Sequence, residues 1–242
     1  MASVEHIATD NFETLYIQLR KKEKRFYTDE EVKELPDIAV THPHYKEWQL
    51  RKQSMQSLRE YLKKKSRPLE ILEIGCGNGW LSRRLAAIEG ANVTGSDINL
   101  AEIQQASKVF ENISNLNFIY SDPESNLKEK KFDCIIFAAS IQYFESFETT
   151  IQKTLMLLKS DGEIHILDSP FYSMSALGAA IERSKLYFEE AGFPGMSQHY
   201  FHHTLDSVAN FNYRCLYNPN SLFNRFLKNK NPFYWIQYRH RC

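Results

Sequence analysis

The chain has 242 residues, 43% of them hydrophobic and 25% charged, with 30 basic and 30 acidic side chains and a formal net charge of zero. That length and apolar content suit one sizeable α/β core. Zero net charge without a long basic block argues against nucleic acid as a partner, because phosphate binding draws on Lys and Arg to release counterions.

The N-terminus has no apolar stretch of signal-peptide type, and no run approaches membrane-spanning length, so a cytoplasmic protein without a membrane partner is expected. The cysteines Cys76, Cys134, Cys215 and Cys242 show no C-x-x-C spacing, which fits a reducing compartment and predicts neither a disulfide framework nor a zinc site. Residues 1–65 read as helical decoration in front of a sheet, forming an N-terminal helical cap within the same domain. Phe12, Leu15, Tyr16 and Leu19 fall at helical spacing, and Thr28 with Glu31 forms a capping-box pattern before a short helix that Pro36 ends. The basic runs at residues 20–25 and 63–65 are expected to be solvated helix faces. His42 and His44 flank Pro43 in a turn, with no carboxylate or Cys at metal-ligand spacing, so no metal is expected. A longer helix over about 45–64 carries Trp48, Met55, Leu58 and Leu62 on one stripe, with Arg51 one turn beyond Trp48.

Leu69–Ile74 is a short Leu- and Ile-rich run bounded by Pro68 and glycines, the pattern of a buried strand. Gly75, Gly77 and Gly79 then let the backbone bend tightly and approach a ligand, and Trp80–Ile88 has apolar residues at helical spacing. Strand, glycine bend and helix form the geometry that binds a nucleotide-like ligand at the carboxyl end of a sheet. The spacing is G-x-G-x-G, whereas dinucleotide sites favour G-x-G-x-x-G. Glu73 at the strand's end would repel a pyrophosphate and suits a cationic amino group. With Glu73-Ile74-Gly75-Cys76-Gly77-Asn78-Gly79 in view, the chain resembles the class I S-adenosylmethionine-dependent methyltransferases. The resemblance implies S-adenosylmethionine as cofactor, held at Glu73, Gly75, Cys76, Gly77 and Gly79. In related enzymes a helix before this strand covers the cofactor, which would give Trp48 a covering role and let Arg51 pair with the methionine carboxylate. The alternative is that Trp48 packs on the sheet edge and Arg51 is solvated.

Asn92–Asp97 reads as a second strand, and Asp97 stands about 20 residues beyond the glycines, where a carboxylate accepts hydrogen bonds from ribose hydroxyls. Asn99 can cap the next helix, over about 100–112, which leaves Asp97 for the ribose. By resemblance, Ile98 packs on the adenine face and Asp122 accepts from the adenine amino group, although Pro123 departs from the family's usual small or aliphatic residue. Leu116–Tyr120 is the third strand and Phe132–Phe137 a central one, apolar on both faces. The loop that follows, Ala138-Ala139-Ser140, offers backbone oxygens to the methionine amino group in similar enzymes, so Ala138 and Ser140 join the expected site. A helix over about 148–159 should end at Ser160-Asp161-Gly162, ahead of a fifth strand over Glu163–Asp168.

Residues 169–210 exceed a minimal connection and would project over the carboxyl ends of the sheet, which makes them a helical lid; the alternative is an aromatic-rich pair packed on the core. Residues 213–217 and 233–238 are the remaining strands, with a short helix over 221–227 between them. Family members end with an antiparallel strand slotted between two others, and the aromatic 233–238 strand suits that place. The expected fold is therefore α/β, a doubly wound, mostly parallel seven-stranded sheet of Rossmann-like methyltransferase type. Its expected organisation is a methyltransferase domain over 66–242, with N-terminal helices and a helical lid. The expected function is methyl transfer to a small or medium-sized metabolite, aromatic, lipid-like or a sugar derivative, at oxygen or nitrogen. A neutral imidazole suits a general base near pH 7, so His202 or His203 in the lid is the expected catalytic group, with Asp168 and Tyr143 as other positions. The competing readings are a nicotinamide-dependent reductase and a non-catalytic nucleoside-binding protein on the same layout.

Overall fold

The structure, a computed structural model, describes residues 2–120, 127, 130–225 and 230–239. Seven strands, β1 Leu69–Ile74, β2 Ala91–Asp97, β3 Leu116–Tyr120, β4 Phe132–Ala138, β5 Leu158–Leu167, β6 Tyr213–Tyr217 and β7 Trp235–Arg239, form one sheet in the order β3-β2-β1-β4-β5-β7-β6. The pairs β1–β2, β2–β3, β1–β4 and β4–β5 are parallel, and β7 runs antiparallel between β5 and β6. The strand order turns back between β1 and β4, so the chain leaves in opposite directions on either side of β1's carboxyl end, and a crevice opens there.

The central strands are apolar on successive residues because both faces are covered. Leu69 and Ile71 of β1 and Cys134 and Ile136 of β4 pack into one core with Leu58 and Leu62 of α3 (Tyr45–Lys63) and Leu85 of α4 (Trp80–Ala86). Leu72, Ile74, Ile135 and Phe137 face the other way, onto Phe147 and Ile151 of α6 (Phe147–Leu155). Burying an aliphatic side chain of this size contributes about 1.5–3 kcal/mol, so these two layers carry much of the fold's stability.

Ahead of the sheet lie α1 (Ala2–Lys22), α2 (Asp29–Glu34) and α3. The Thr28 hydroxyl accepts from the Glu31 N–H at 3.3 Å, and the Glu31 carboxylate accepts from the Thr28 N–H at 2.8 Å, which completes the capping box. Helix α5 spans Leu100–Val109, with the Asn99 side chain accepting from the Glu102 N–H at 3.2 Å as its cap. After β5 come α7 (Met174–Glu190), a 3-10 turn at Pro194–His199 and α8 (Leu205–Ala209). Leu19 of α1, Phe188 of α7 and Met196 of the 3-10 turn form a small separate core with Tyr16, Tyr143 and Tyr200 around it.

Several boundaries differ from the sequence expectation. Helix α6 stops at Leu155, and β5 starts at Leu158 instead of Glu163, because Leu158 pairs with Phe132 across an irregularity before Glu163 pairs with Cys134. Ser160-Asp161-Gly162 is thus an irregular stretch inside the strand; a Cβ on Gly162 would sit 2.8 Å from the Phe132 carbonyl oxygen. Helix α5 is also shorter than expected; α9 is described over Leu222–Arg225, and the remainder of the expected helix lies outside the described residues.

Glu163 on β5 is 1% exposed, yet charged groups surround it. Its carboxylate accepts from the Tyr61 hydroxyl at 3.0 Å and pairs with Lys65 at 3.0 Å, with His165 at 3.2 Å and with Arg239. Burial alone would raise its pKa; the hydrogen bonds and charges of His165 and Lys65 overcome that and hold it well below its ordinary value of 4.5. A depressed carboxyl contributes stability that is full above the unfolded value and lost as pH falls below it. Glu163→Gln is therefore expected to destabilise the protein by about 2 kcal/mol at pH 7, a figure reduced for the solvent around Arg239. In urea denaturation the gap between variant and wild type should narrow progressively as pH is lowered below about 4.5; a constant gap would contradict it.

Candidate functional site

The bend after β1 is held from below. The N–H groups of Gly75 and Cys76 both donate to the Ser96 carbonyl oxygen, at 2.8 and 3.1 Å. The Ser140 hydroxyl donates to the Ile74 carbonyl oxygen at 2.7 Å, tying the end of β1 to the segment after β4. Gly75 has φ +74°, and a Cβ there would lie 2.4 Å from the Ser140 Cβ, so this position excludes a side chain on two counts. Gly79, at φ +76°, is the N-cap of α4, and a Cβ there would meet the Phe118 ring at 2.4 Å.

Above the bend is a cleft enclosing about 570 Å³, part of it open to solvent. Glu73, Gly75, Cys76, Gly77, Asn78 and Trp80 form its floor, and Ala138 and Ala139 close one side. Tyr16 and Arg20 of α1, Arg25 and Tyr27 of the following loop, Glu47, Trp48 and Arg51 of α3, and Glu102 of α5 complete the wall. Trp48 is buried, donates its indole N–H to the Tyr27 hydroxyl at 2.7 Å and packs edge-on to Trp80 at 5.1 Å between ring centroids. Arg51 lies over the Trp48 ring at 5.3 Å and pairs with Glu47 at 3.0 Å, while Arg25 reaches the other Glu47 oxygen at 2.5 Å.

Acidic groups face these cations across the glycines. Glu73 is 2% exposed and its Oε2 accepts from the Ser82 hydroxyl at 2.5 Å. Burial pushes its pKa up to about 8, Asp97's charge adding to the effect and Ser82 and Arg51 opposing it. Glu102, 7% exposed, is pushed up to about 7 by burial and by Asp97, against Arg20 and Arg51. Asp97 Oδ2 accepts from the Gly77 N–H at 2.8 Å and Oδ1 from the Asn99 N–H at 2.8 Å; burial raises its pKa, and those backbone bonds oppose the rise. Burial also raises the Cys76 thiol well above its ordinary value, so it is protonated and no nucleophile. Three guanidinium groups, several carboxyl groups and backbone at close range form a site for a zwitterionic ligand with hydroxyl groups, held by hydrogen bonds and charge.

Of the residues expected from sequence, Glu73, Gly75, Cys76, Gly77, Ala138, Trp48 and Arg51 line the cleft together. Asp97 stands at its edge, bonded to Gly77. Gly79 shapes the start of α4, Ser140 is buried beneath the bend, and Ile98 is half-buried just after β2. Asp122 lies outside the described residues.

The expected catalytic pair is not part of the cleft wall. His202 Nε2 is 2.8 Å from the Ser184 hydroxyl on α7, and its ring sits between Tyr172 and Tyr200. His203 is 6% exposed, with Nε2 3.0 Å from the Ile141 carbonyl oxygen and its ring against Phe147. Burial lowers the pKa of both. The imidazoles stitch the segment after α7 to its surroundings, because a ring nitrogen buried near a hydroxyl or carbonyl is satisfied there. Conversely, Tyr16, Arg20, Arg25, Tyr27, Glu47 and Glu102 were not expected in the cleft. One signal was available for some of them: Arg20 follows Tyr16 by four residues on the apolar stripe of α1, and Glu47 precedes Arg51 by four on α3.

Among the described residues, no group of His, Cys, Asp and Glu is placed to hold a metal, and no helix is long and apolar enough to cross a membrane.

A family model described as a methyltransferase domain matches residues 64–208, more than half of the 242-residue chain. The malonyl-[acyl-carrier protein] O-methyltransferase of Acetivibrio thermocellus is 35% identical over 137 residues, 55% of this chain and 48% of that protein. The ubiquinone biosynthesis O-methyltransferase of Rickettsia felis is 34% identical over 95 residues, 39% of this chain and 38% of that protein. The chain thus spans less than half the length of these curated relatives. Among solved structures, magnesium protoporphyrin IX methyltransferase from Synechocystis with bound S-adenosylhomocysteine superposes with a TM-score of 0.61 at 18% identity, covering 98% of this chain and 100% of that one. The plantazolicin methyltransferase BpumL in complex with S-adenosylhomocysteine gives 0.57 at 18% identity, covering 98% and 99%. At that identity the two share the fold.

Proposed function

Because the chain belongs to the methyltransferase-domain family, we propose that it transfers a methyl group from S-adenosylmethionine to an oxygen or nitrogen of a small or medium-sized metabolite. The observation that carries this reading is the pairing of Glu73 and Asp97 about the glycine bend, with Asp97 bonded to the Gly77 N–H at 2.8 Å and Arg51 on the opposite wall. The residues present fit the nucleoside: the bend admits backbone contact where a Cβ would collide, two acids suit an ammonium and a pair of hydroxyl groups, and Arg51 suits a carboxylate.

When bound, the cofactor supplies an electrophilic methyl carbon on a sulfonium, a displacement that needs no covalent enzyme intermediate. The protein's part is to orient and to exclude water. Glu73, whose pKa burial pushes up to about 8, would give up its proton to face a cation. Asp97 has its two backbone bonds as the resting arrangement from which it would accept hydrogen bonds from hydroxyl groups. Trp48 and Trp80 form an apolar wall, and Tyr16 and Tyr27 cover the cleft from the N-terminal side. The reading includes one domain, with residues 1–65 as its helical cap, 66–242 as the nucleoside-binding unit and 169–210 as a lid, in the cytoplasm. The small core shared by α1, α7 and the 3-10 turn supports that organisation. Zero net charge supports a metabolite over nucleic acid as acceptor.

Calorimetric titration of the full chain tests this. S-adenosylhomocysteine is expected to bind and NADH is not, and Asp97→Ala is expected to weaken the nucleoside by about tenfold or more, the loss of charge-assisted hydrogen bonds. Binding of NADH in place of the nucleoside would overturn the proposal. Methyl transfer from labelled donor into a metabolite extract then separates an enzyme from a protein that only binds.

A further inference from the structure

A second cavity opens at the same carboxyl edge of the sheet, beyond the ends of β5 and β6 and the start of β7, and encloses about 530 Å³. Helix α3 serves both cavities: Glu47, Trp48 and Arg51 line the first, while Gln53, Ser54 and Ser57 line the second. The two also meet at the sheet, where the N–H of Ala139, in the wall of the first, donates at 3.0 Å to the carbonyl oxygen of Leu167, in the wall of the second.

The walls of this second cavity are aromatic, formed by Tyr217, Phe233, Tyr234 and Trp235. Three of its polar groups are gathered at one place and buried, with Ser54 and Asn231 each 8% exposed and Asp168 9%. The Ser54 hydroxyl donates to Asp168 Oδ1 at 2.5 Å, and Asn231 Nδ2 reaches Ser54 at 2.7 Å and Asp168 Oδ1 at 3.4 Å. Asp168 also has a left-handed backbone, φ +53°, immediately after β5. A buried carboxylate and a strained backbone both oppose folding, by about 1–3 kcal/mol for the strain alone, and neither helps the apolar core. Such features cluster where a ligand is recognised.

We propose that this second cavity is the acceptor subsite and takes a neutral, planar, hydroxylated ring that lies against the aromatic walls and donates a hydroxyl hydrogen to Asp168. The proposal rests on the methyltransferase reading for the word acceptor. The lining, which has Asp168 and, among the described residues, no lysine or arginine, disfavours an anion, and burial raises the Asp168 pKa, which weakens its attraction for a cation. Planarity follows from Tyr217, Phe233, Tyr234 and Trp235, which offer flat apolar faces to a ring.

Catechol is the probe, read by two-dimensional NMR titration of the full chain with and without S-adenosylhomocysteine. Catechol is expected to shift the Trp235 indole and Tyr217 amide signals, and cyclohexane-1,2-diol, which keeps the hydroxyls without the flat ring, to bind roughly tenfold more weakly. Asp168→Asn keeps a side chain that tolerates left-handed backbone and is expected to weaken catechol by roughly tenfold. Ser57→Trp, at an exposed position of α3 lining the cavity, is expected to block it, and both variants should hold S-adenosylhomocysteine within about twofold of wild type. Shifts centred on Tyr143 and Tyr200 beneath α7, no shift at Trp235, or equal catechol affinity in Ser57→Trp would each overturn the proposal. Failure of the nucleoside to bind wild type would instead overturn the donor reading, since catechol without nucleoside measures the second cavity alone.

Discussion

Glu73→Gln is expected to make the ligand-free protein more stable at pH 8 while weakening its hold on the nucleoside. Glu73 is 2% exposed, and burial raises its pKa from 4.5 to about 8. In the unfolded chain the carboxyl ionises at its ordinary value. Between about pH 4.5 and 8 the unfolded state has therefore released a proton that the folded state keeps. Stability then falls as pH rises through that window and levels off above it. With 1.36 kcal/mol per pKa unit, the loss is on the order of 3 kcal/mol, allowing for relaxation around the ionised group. Glutamine is the neutral shape of the same side chain, can still accept from Ser82, and escapes the penalty. The variant should melt at the same temperature as wild type at pH 4.5 and several degrees higher at pH 8. Glu102 titrates in an overlapping range, so the difference between the two proteins is the readout, not either slope. Binding should go the other way. The wild-type affinity for S-adenosylmethionine should rise with pH toward about 8 as Glu73 ionises, and the variant should lose that rise and bind roughly 30-fold more weakly at pH 8, about 2 kcal/mol. Identical melting profiles would show that Glu73 is ionised in the empty cleft, and the electrostatic argument would fail.

Gly75→Ala should damage both the fold and the site. A Cβ at φ +74° lies in the left-handed region, which costs about 1–2 kcal/mol for an L-residue. It would also stand 2.4 Å from the Ser140 Cβ, an overlap that only movement of backbone can relieve, at about 1–3 kcal/mol. Ser140 cannot yield freely because its hydroxyl is bonded to the Ile74 carbonyl oxygen at 2.7 Å. The expected outcome is a loss of about 3 kcal/mol in urea denaturation and a fall of roughly 100-fold in nucleoside affinity. Adding Ser140→Gly removes one of the two colliding atoms and should recover about 1–2 kcal/mol. No recovery would mean that the left-handed backbone alone, and not the contact beneath the bend, sets the requirement for glycine.

How far the site was legible follows from where its parts come in the chain. Glu73, the glycines and Asp97 sit in two consecutive strand ends, and their spacing alone announces a bend followed by an acid. Glu47, Arg25, Arg20 and Tyr16 come from helices and a loop that nothing local ties to that bend. In sequence Arg20 reads as part of a solvated helix face and nothing marks Glu47, and only the packing of α1 and α3 over the crevice turns them inward. His202 and His203 are the reverse case. Imidazole chemistry suits catalysis, but the Ser184 hydroxyl and the Ile141 carbonyl oxygen engage the two rings away from the cleft. Ser160-Asp161-Gly162 looked like a turn because its residue types favour one, yet the pairing of Leu158 with Phe132 draws it into β5.

By itself the order of residues determined the sheet, the bend and the acids at two of its strand ends, because each depends on side-chain period or on the conformational freedom of a few neighbouring positions. Which charges face the cleft, which histidines stay out of it, and that Asp168, Ser54 and Asn231 meet beneath a ring of aromatic side chains were decided by tertiary structure. Those contacts join residues as much as 177 positions apart, and such a separation is closed by the burial of whole helices against the sheet, a long-range balance that no local pattern encodes.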